Sequence, residues 1–167
     1  MTKTTDVDPT DGRDESVVER LDRNWNDTLQ ELRVTQTGTQ IITGFLLTLA
    51  FQTRFTDLDR DQIIIYLVLV VLAAVSTILG LAPVSLHRTL FRKKAKAELV
   101  ATAHRLLIAT LSVLGLVIAG VVLLIFNVVV STAAGFIAGG TTLLAILAIW
   151  VILPRVAAPT DNRVFGN

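Results

Sequence analysis

Four stretches of the chain contain no Asp, Glu, Lys, Arg or His, and each is about as long as the 20-residue helix that crosses a bilayer. They are residues 34–52, 63–86, 106–130 and 133–153. Only 17% of the chain is charged, whereas a soluble domain carries about 25% charged residues. The sequence therefore predicts an all-α, polytopic membrane protein, with four transmembrane helices in a membrane domain of residues 16–155.

The first stretch differs from the others because it contains amides and hydroxyls. A helical wheel with about 100° per residue separates its polar side chains from its apolar ones. The polar side consists of Gln36, Gln40, Thr37, Thr43 and Gly44, and the apolar side of Val34, Ile41, Ile42, Phe45 and Leu49. Because unpaired amides are costly in hydrocarbon, we expect the polar side to face protein or water. This polar side either forms a surface for binding or permeation, or makes hydrogen bonds to the helices packed against it.

The segments that flank these stretches are more polar. Residues 1–15 are acidic and predict a disordered tail, and residues 156–167 predict a short C-terminal tail. Residues 16–33 predict an amphipathic helix that begins with a capping box of Ser16 and Glu19. Its apolar stripe consists of Val18, Leu21, Trp25, Leu29 and Leu32. Such a stripe suits the membrane interface, and it equally suits packing against the protein's own cytoplasmic loops.

The distribution of basic residues predicts the orientation. With four spans, 13 of the 15 Lys and Arg residues fall on the side that carries both termini and the loop of residues 87–105. Because such loops stay in the cytoplasm, we expect a multi-pass protein of the cell (inner) membrane with both termini cytoplasmic. The first span is expected to serve as an uncleaved insertion signal. The basic loop either binds anionic lipid headgroups or only fixes the topology; its basic residues include Arg88, Arg92, Lys93, Lys94 and Lys96.

Small residues recur at four-residue spacing in the last two spans. They are Gly115 with Ala119, and Gly135 with Gly139. This spacing lets two helices approach closely. We favour packing of the third and fourth helices within one chain, and a homo-oligomer is the alternative.

Residues needed for several chemistries are missing from the sequence. The chain has no cysteine, which excludes disulfides and thiolate sites, and no catalytic or nucleotide-binding motif occurs. His87 and His104 lack the further ligands that a metal site needs. Proton and sodium sites of transporters usually rest on buried carboxylates, so the spans argue against a proton-coupled antiporter built from this chain alone. We expect no enzyme activity, cofactor, metal or nucleic-acid partner.

Three segments carry a resemblance to known proteins. They are ERLDRNWNDTLQELRVTQTGTQIITGFLLTLAFQTRF at 19–55, IYLVLVVLAA with LAPVSLHRTLFRKKAK within 65–96, and GVVLLIF at 120–126. On these segments the chain resembles a family of small bacterial membrane proteins described as a domain of unknown function. The similarity covers most of residues 16–155 and implies a four-helix inner-membrane protein. Some members are labelled sodium:proton antiporter by automatic transfer, and the family supplies no site residues.

The sequence thus predicts a non-enzymatic membrane component that associates with itself or with a larger complex. The contact would be made by the polar side of the first span or by the small residues of the last two. The alternative is a small transporter or channel component with a polar path along Gln36 and Gln40, joined by Thr37 and Thr43. In that case the amides should contact water or solute, whereas amides bonded to a neighbouring helix would contradict the path.

Overall fold

The structure, a computed structural model, describes residues 15–90 and 96–157, except for the side chains of residues 87–90, 96–98 and 157. Every regular element in this part of the chain is helical, as predicted. The helices are α1 (Val17–Leu49), α2 (Arg60–Leu90), α3 (Lys96–Val129), α4 (Thr132–Leu147) and α5 (Leu153–Ala157), with a 3-10 turn at Thr53–Asp57 and a π turn at Ala148–Ile152. Most of both predicted tails lies outside the described residues. So do the side chains proposed for lipid contact, those of Arg88, Arg92, Lys93, Lys94 and Lys96.

Helix α1 begins with the capping box that the sequence predicted. The Ser16 hydroxyl accepts a hydrogen bond from the Glu19 N–H at 3.4 Å, and the Glu19 carboxylate accepts from the Ser16 N–H at 2.8 Å and from its hydroxyl at 2.7 Å. The bonds from the Ser16 side chain and backbone lower the pKa of the Glu19 carboxyl. The stabilisation from this cap is therefore present at neutral pH and is lost as the pH falls through the lowered pKa.

Helix α1 runs without a break through the predicted interfacial helix and the first predicted span. Its buried residues are Thr28, Leu32, Thr39 and Leu46, and their spacing of four and seven places them on one side of the helix. The predicted N-terminal stripe is only partly buried, since Leu32 is 3% exposed and Val18 is 54% exposed. One buried side therefore extends from Thr28 to Leu46.

Three helical segments are long and apolar enough to cross a membrane. They are Arg60–Leu86, Leu99–Val129 and Thr132–Val156, and they overlap the last three predicted spans. Helix α1 is less apolar than these segments, because residues 34–49 include two glutamines and five threonines.

The chain divides into two compact units. The first combines the residues up to Phe55 with Val70–Leu114. Its apolar core includes Leu46, Ala73 and Leu107. Two hydroxyls, those of Ser76 and Thr110, are also fully or almost fully buried in this unit.

The second unit combines Thr56–Leu69 with the residues from Gly115 onward. In it, Gly135 and Gly139 of α4 lie against α3. A Cβ atom at Gly135 would lie 2.8 Å from the Leu123 carbonyl oxygen, and one at Gly139 would lie 2.7 Å from the Leu123 Cβ and 3.1 Å from the Ala119 carbonyl oxygen. A Cβ at Gly115 would lie 3.3 Å from the Ile146 Cγ2. The four predicted packing residues therefore all lie where α3 and α4 pack together within the chain.

An amide pair joins α2 to α3 in the same unit. The Gln62 N–H donates to the Asp59 carboxylate at 2.8 Å, and the Asp59 N–H donates to the Gln62 side-chain oxygen at 3.1 Å. The Gln62 Nε2 then donates to the Asn127 Oδ1 at 2.9 Å. The Gln62 side chain thus caps the N-terminus of α2 and also donates a hydrogen bond to α3.

The π turn after α4 accommodates a proline. The Leu153 N–H donates to the Ala148 carbonyl, five residues earlier. Pro154 has no N–H to donate, and in a regular helix its ring would clash with the carbonyl four residues before it. The wider turn relieves this clash, and the helical run continues through Pro154 to Ala157.

Candidate functional site

The side chain of Gln36 connects α1 to α2. Its Nε2 donates to the Gly80 carbonyl oxygen at 2.9 Å. Gly80 lies three residues before Pro83, which is fully buried. Proline disturbs the backbone hydrogen bonds of the preceding turn, and neighbouring groups in membrane proteins commonly bond to the carbonyls affected. Gln36 therefore supplies a donor at the turn of α2 that precedes Pro83.

Replacing this amide is expected to weaken the fold. Gln36→Leu removes the donor to the Gly80 carbonyl, and we expect it to lower the free energy of unfolding by about 1 kcal/mol, as for hydrogen bonds between membrane helices. The measurement is equilibrium unfolding in mixed detergent micelles. Gln30→Leu is the control, because Gln30 is an exposed glutamine of the same helix. Equal stability of the two variants would contradict the assigned role of Gln36.

A small polar pocket lies beside this hydrogen bond. The space open to the centre of a water molecule is about 30 Å³, enough for one water molecule. The lining comes from two helices: Gln36, Thr39 and Gln40 of α1, and Ser76, Thr77 and Leu81 of α2. The sequence pattern did not indicate Thr39, Ser76 and Thr77 as site residues. The two adjacent hydroxyls in the apolar run of 63–86 were the available signal.

The pocket gives the position of Gln40 along the apolar part of α2, Arg60–Leu86, which is long enough to cross a membrane. Ser76 is ten residues from Leu86, where that part ends. At 1.5 Å per residue, this is about 15 Å along the helix. Gln40 shares the pocket with Ser76, so it lies near the middle of the span of α2.

Two residues of the predicted polar side, Gln40 and Thr37, are exposed in the structure. The buried side of α1 is centred on Leu32, Thr39 and Leu46. Gln40 follows Thr39 by one residue and is turned about 100° away from it. The helical wheel places Gln36 and Gln40 on the same polar side, yet Gln36 is half-buried and Gln40 is exposed.

Exposed polar and small residues continue along α1 on the side of Gln40. We name Thr37, Gln40, Gly44 and Thr48 the Gln40 face; all four are exposed. The Thr37 hydroxyl donates to the Arg33 carbonyl at 3.0 Å, and the Thr48 hydroxyl donates to the Gly44 carbonyl at 2.8 Å. Within the described part of the chain, the Gln40 amide has no hydrogen-bond partner. A Cβ atom at Gly44 would meet nothing within 4 Å.

Thr43 is the fourth residue predicted for the polar side. It is half-buried. Its Oγ1 is buried and has no hydrogen-bond partner among the described residues. The four predicted residues therefore separate: Gln36 bonds to α2, Thr43 is turned partly inward, and Thr37 and Gln40 lie on the Gln40 face.

Comparison with known proteins gives a family and no characterised relative. Residues 14–154 match the model of a family described as a family of unknown function, DUF6328. Neither the curated proteins nor the solved structures contain a significant match to the chain.

Proposed function

We propose a role for this chain, which belongs to the family of unknown function DUF6328, from its own residues. It is a non-enzymatic integral membrane protein that crosses the membrane four times. It associates with a second copy of itself through the Gln40 face.

The fourth transmembrane helix in this proposal is the C-terminal half of α1. Gln36 bonds to Gly80, which lies inside the apolar segment Arg60–Leu86. Leu46 is 2% exposed, whereas Phe45 is 72% exposed, as expected of a helix with one side against protein and another against lipid. With α1 counted, both termini lie on the side that carries most of the Lys and Arg residues. This side is the cytoplasm by the distribution of basic residues.

The observation that carries the association is the exposed amide of Gln40 at mid-membrane depth. Moving an unpaired amide from water into alkane costs about 4–8 kcal/mol. A glutamine amide contains both donors and an acceptor. Two Gln40 side chains related by a twofold axis can therefore donate to each other. A second copy of the chain offers each Gln40 amide a donor and an acceptor of the same kind.

The rest of the Gln40 face permits close approach. Gly44 has open space around it, and small residues let the backbones of membrane helices come near each other. Thr37 and Thr48 donate their hydroxyl protons within α1. Two copies in one membrane have the same orientation, so a closed dimer places its twofold axis along the membrane normal. Equivalent residues of the two α1 helices then meet at the crossing point.

Replacement of Gln40 tests this association. We expect Gln40→Leu to weaken dimerisation by about 1–2 kcal/mol, a factor of roughly 5–30 in the dissociation constant. The dissociation constant is measured by energy transfer between labelled copies at varied protein-to-detergent ratios. Phe45→Leu is the control. Phe45 is exposed and directly follows Gly44 in the helix, but it lies away from the Gln40 face. A wild-type protein that stays monomeric, or an unchanged constant for Gln40→Leu, would refute the proposal.

A second candidate function is a component of a small transporter or channel. The polar pocket at Gln36 favours it, because polar groups inside a span often mark the route of a solute. The bond from Gln36 to Gly80 counts against it, since this amide is already used between helices. The pocket also has room for one water molecule only, which is not a continuous polar path. We therefore place self-association first.

A further inference from the structure

The hydroxyl protons around the polar pocket are already used in hydrogen bonds. Thr39 donates to the Thr35 carbonyl at 2.9 Å and Thr77 to the Ala73 carbonyl at 3.0 Å, both within their own helices. Ser76 donates across to the Thr110 carbonyl of α3 at 3.4 Å. A hydroxyl that donates its proton keeps its oxygen lone pairs as acceptors. The hydroxyls that line the pocket therefore offer acceptors.

A pocket lined by acceptors binds a donor, and its surroundings require that donor to be neutral. Residues 34–52 and 63–86 contain no Asp, Glu, Lys, Arg or His. A cation in the pocket would have no counter-charge on these stretches, and unpaired charge is costly at membrane depth. The volume of about 30 Å³ limits the ligand to the size of water. A water molecule donates two hydrogen bonds and accepts from an amide N–H, and it is stable in a cavity that offers two to four polar partners.

We propose that the pocket between α1 and α2 is a binding site for one water molecule, which donates to two of the hydroxyl oxygens of Thr39, Ser76 and Thr77 and accepts from the amide N–H groups of Gln36 and Gln40. This water joins the Gln36 amide, which bonds to α2, to the exposed amide of Gln40. It hydrates the protein near the middle of the span of α2, where the surroundings are otherwise apolar. The site does not depend on self-association, because all of its groups belong to one chain.

Water-edited solid-state NMR on the full chain in lipid bilayers tests the site. Magnetisation transferred from water is read at the Cβ atoms of Thr39, Ser76 and Thr77. Thr142 is the internal control, because it is half-buried inside the apolar segment Thr132–Val156 and donates to the Ala138 carbonyl at 2.8 Å in the same way. We expect clear transfer at the three pocket residues and none at Thr142. Pocket signals no stronger than that of Thr142 would overturn the proposal.

Two variants separate a bound water from general hydration of the bilayer. Thr77→Val removes one acceptor and keeps the shape of the side chain, and we expect the transfer at Thr39 and Ser76 to fall below that of the wild type. Leu81→Phe enlarges a residue that lines the pocket and is half exposed, so it fills the space without changing a polar group. It should cause the same loss, and it decides the question if Thr77→Val does not fold. Undiminished transfer at Thr39 and Ser76 in the folded variant would overturn the site.

Discussion

Gly135→Ala is expected to destabilise the protein by about 2–3 kcal/mol, the upper part of the range of about 1–3 kcal/mol found for overpacked positions. The added Cβ would lie 2.8 Å from the Leu123 carbonyl oxygen, 2.9 Å from the Asn127 Cβ and 3.0 Å from the Asn127 N. All three atoms belong to the backbone of α3 or are fixed to it, so no side-chain rotation relieves the contact. Helices α3 and α4 must move apart, and the free energy of unfolding falls.

The matched control is Gly140→Ala in the same helix. A Cβ at Gly140 would meet nothing within 4 Å, and alanine is favoured over glycine in a helix by about 1 kcal/mol. We expect this variant to be as stable as the wild type or more so. Both free energies are obtained by equilibrium unfolding in mixed detergent micelles. Similar effects of the two substitutions on the free energy of unfolding would contradict a requirement for glycine at position 135 that comes from close packing against α3.

The second large effect is expected for Gln62→Leu, at about 2 kcal/mol. The substitution removes the acceptor for the Asp59 N–H, which is the second hydrogen bond of a capping box, and a hydrogen bond contributes about 1 kcal/mol. It also removes the donor to Asn127, and hydrogen bonds between membrane helices contribute about 0.6 kcal/mol on average and up to about 1.7. Both hydrogen bonds are made by the same side chain, so the substitution removes both and the two losses together lower the free energy of unfolding.

A double-mutant cycle isolates the contact between helices. Gln62→Leu and Asn127→Ala are measured singly and together, and the coupling energy belongs to the pair. We expect the double variant to be less destabilised than the sum of the single ones by about 0.6–1.7 kcal/mol. Strict additivity would show that Gln62 acts through the cap alone.

The sequence was sufficient for features that depend on local pattern. The three apolar runs that follow residue 60 predicted the helical segments that can cross a membrane. The Ser16–Glu19 spacing predicted the cap of α1. These features follow from hydrophobicity and from hydrogen bonds between residues three apart, and no distant part of the chain alters them.

Local pattern did not predict the rotation of α1 about its axis, which decides which of its polar residues are buried. The helical wheel grouped Gln36 with Gln40, yet Gln36 bonds to α2 and Gln40 is exposed. Thr39 takes the buried position, and its hydroxyl donates to the Thr35 carbonyl. A threonine can thus satisfy its donor within its own helix, whereas a glutamine reaches for a distant partner. Which polar residue faces inward therefore depends on the partner helices.

The packing glycines and the Gln62–Asn127 pair show a second limit to what can be predicted from the sequence. Four-residue spacing at Gly135 and Gly139 fits packing within a chain as well as between chains, and only the distances to α3 assign these glycines to the internal contact. The bond between Gln62 and Asn127 spans 65 positions of sequence. No local pattern connects two residues so far apart.

Cysteine cross-linking in the native membrane is the direct test of self-association through the Gln40 face, because the chain has no cysteine of its own. Gly44→Cys places a thiol on the Gln40 face, and Phe45→Cys places one on the next residue, which is turned about 100° away. A disulfide forms only when the two Cα atoms come within about 7 Å. We expect a cross-linked dimer for Gly44→Cys on mild oxidation and a monomer for Phe45→Cys. No cross-link for Gly44→Cys, or equal cross-linking of both variants, would contradict it.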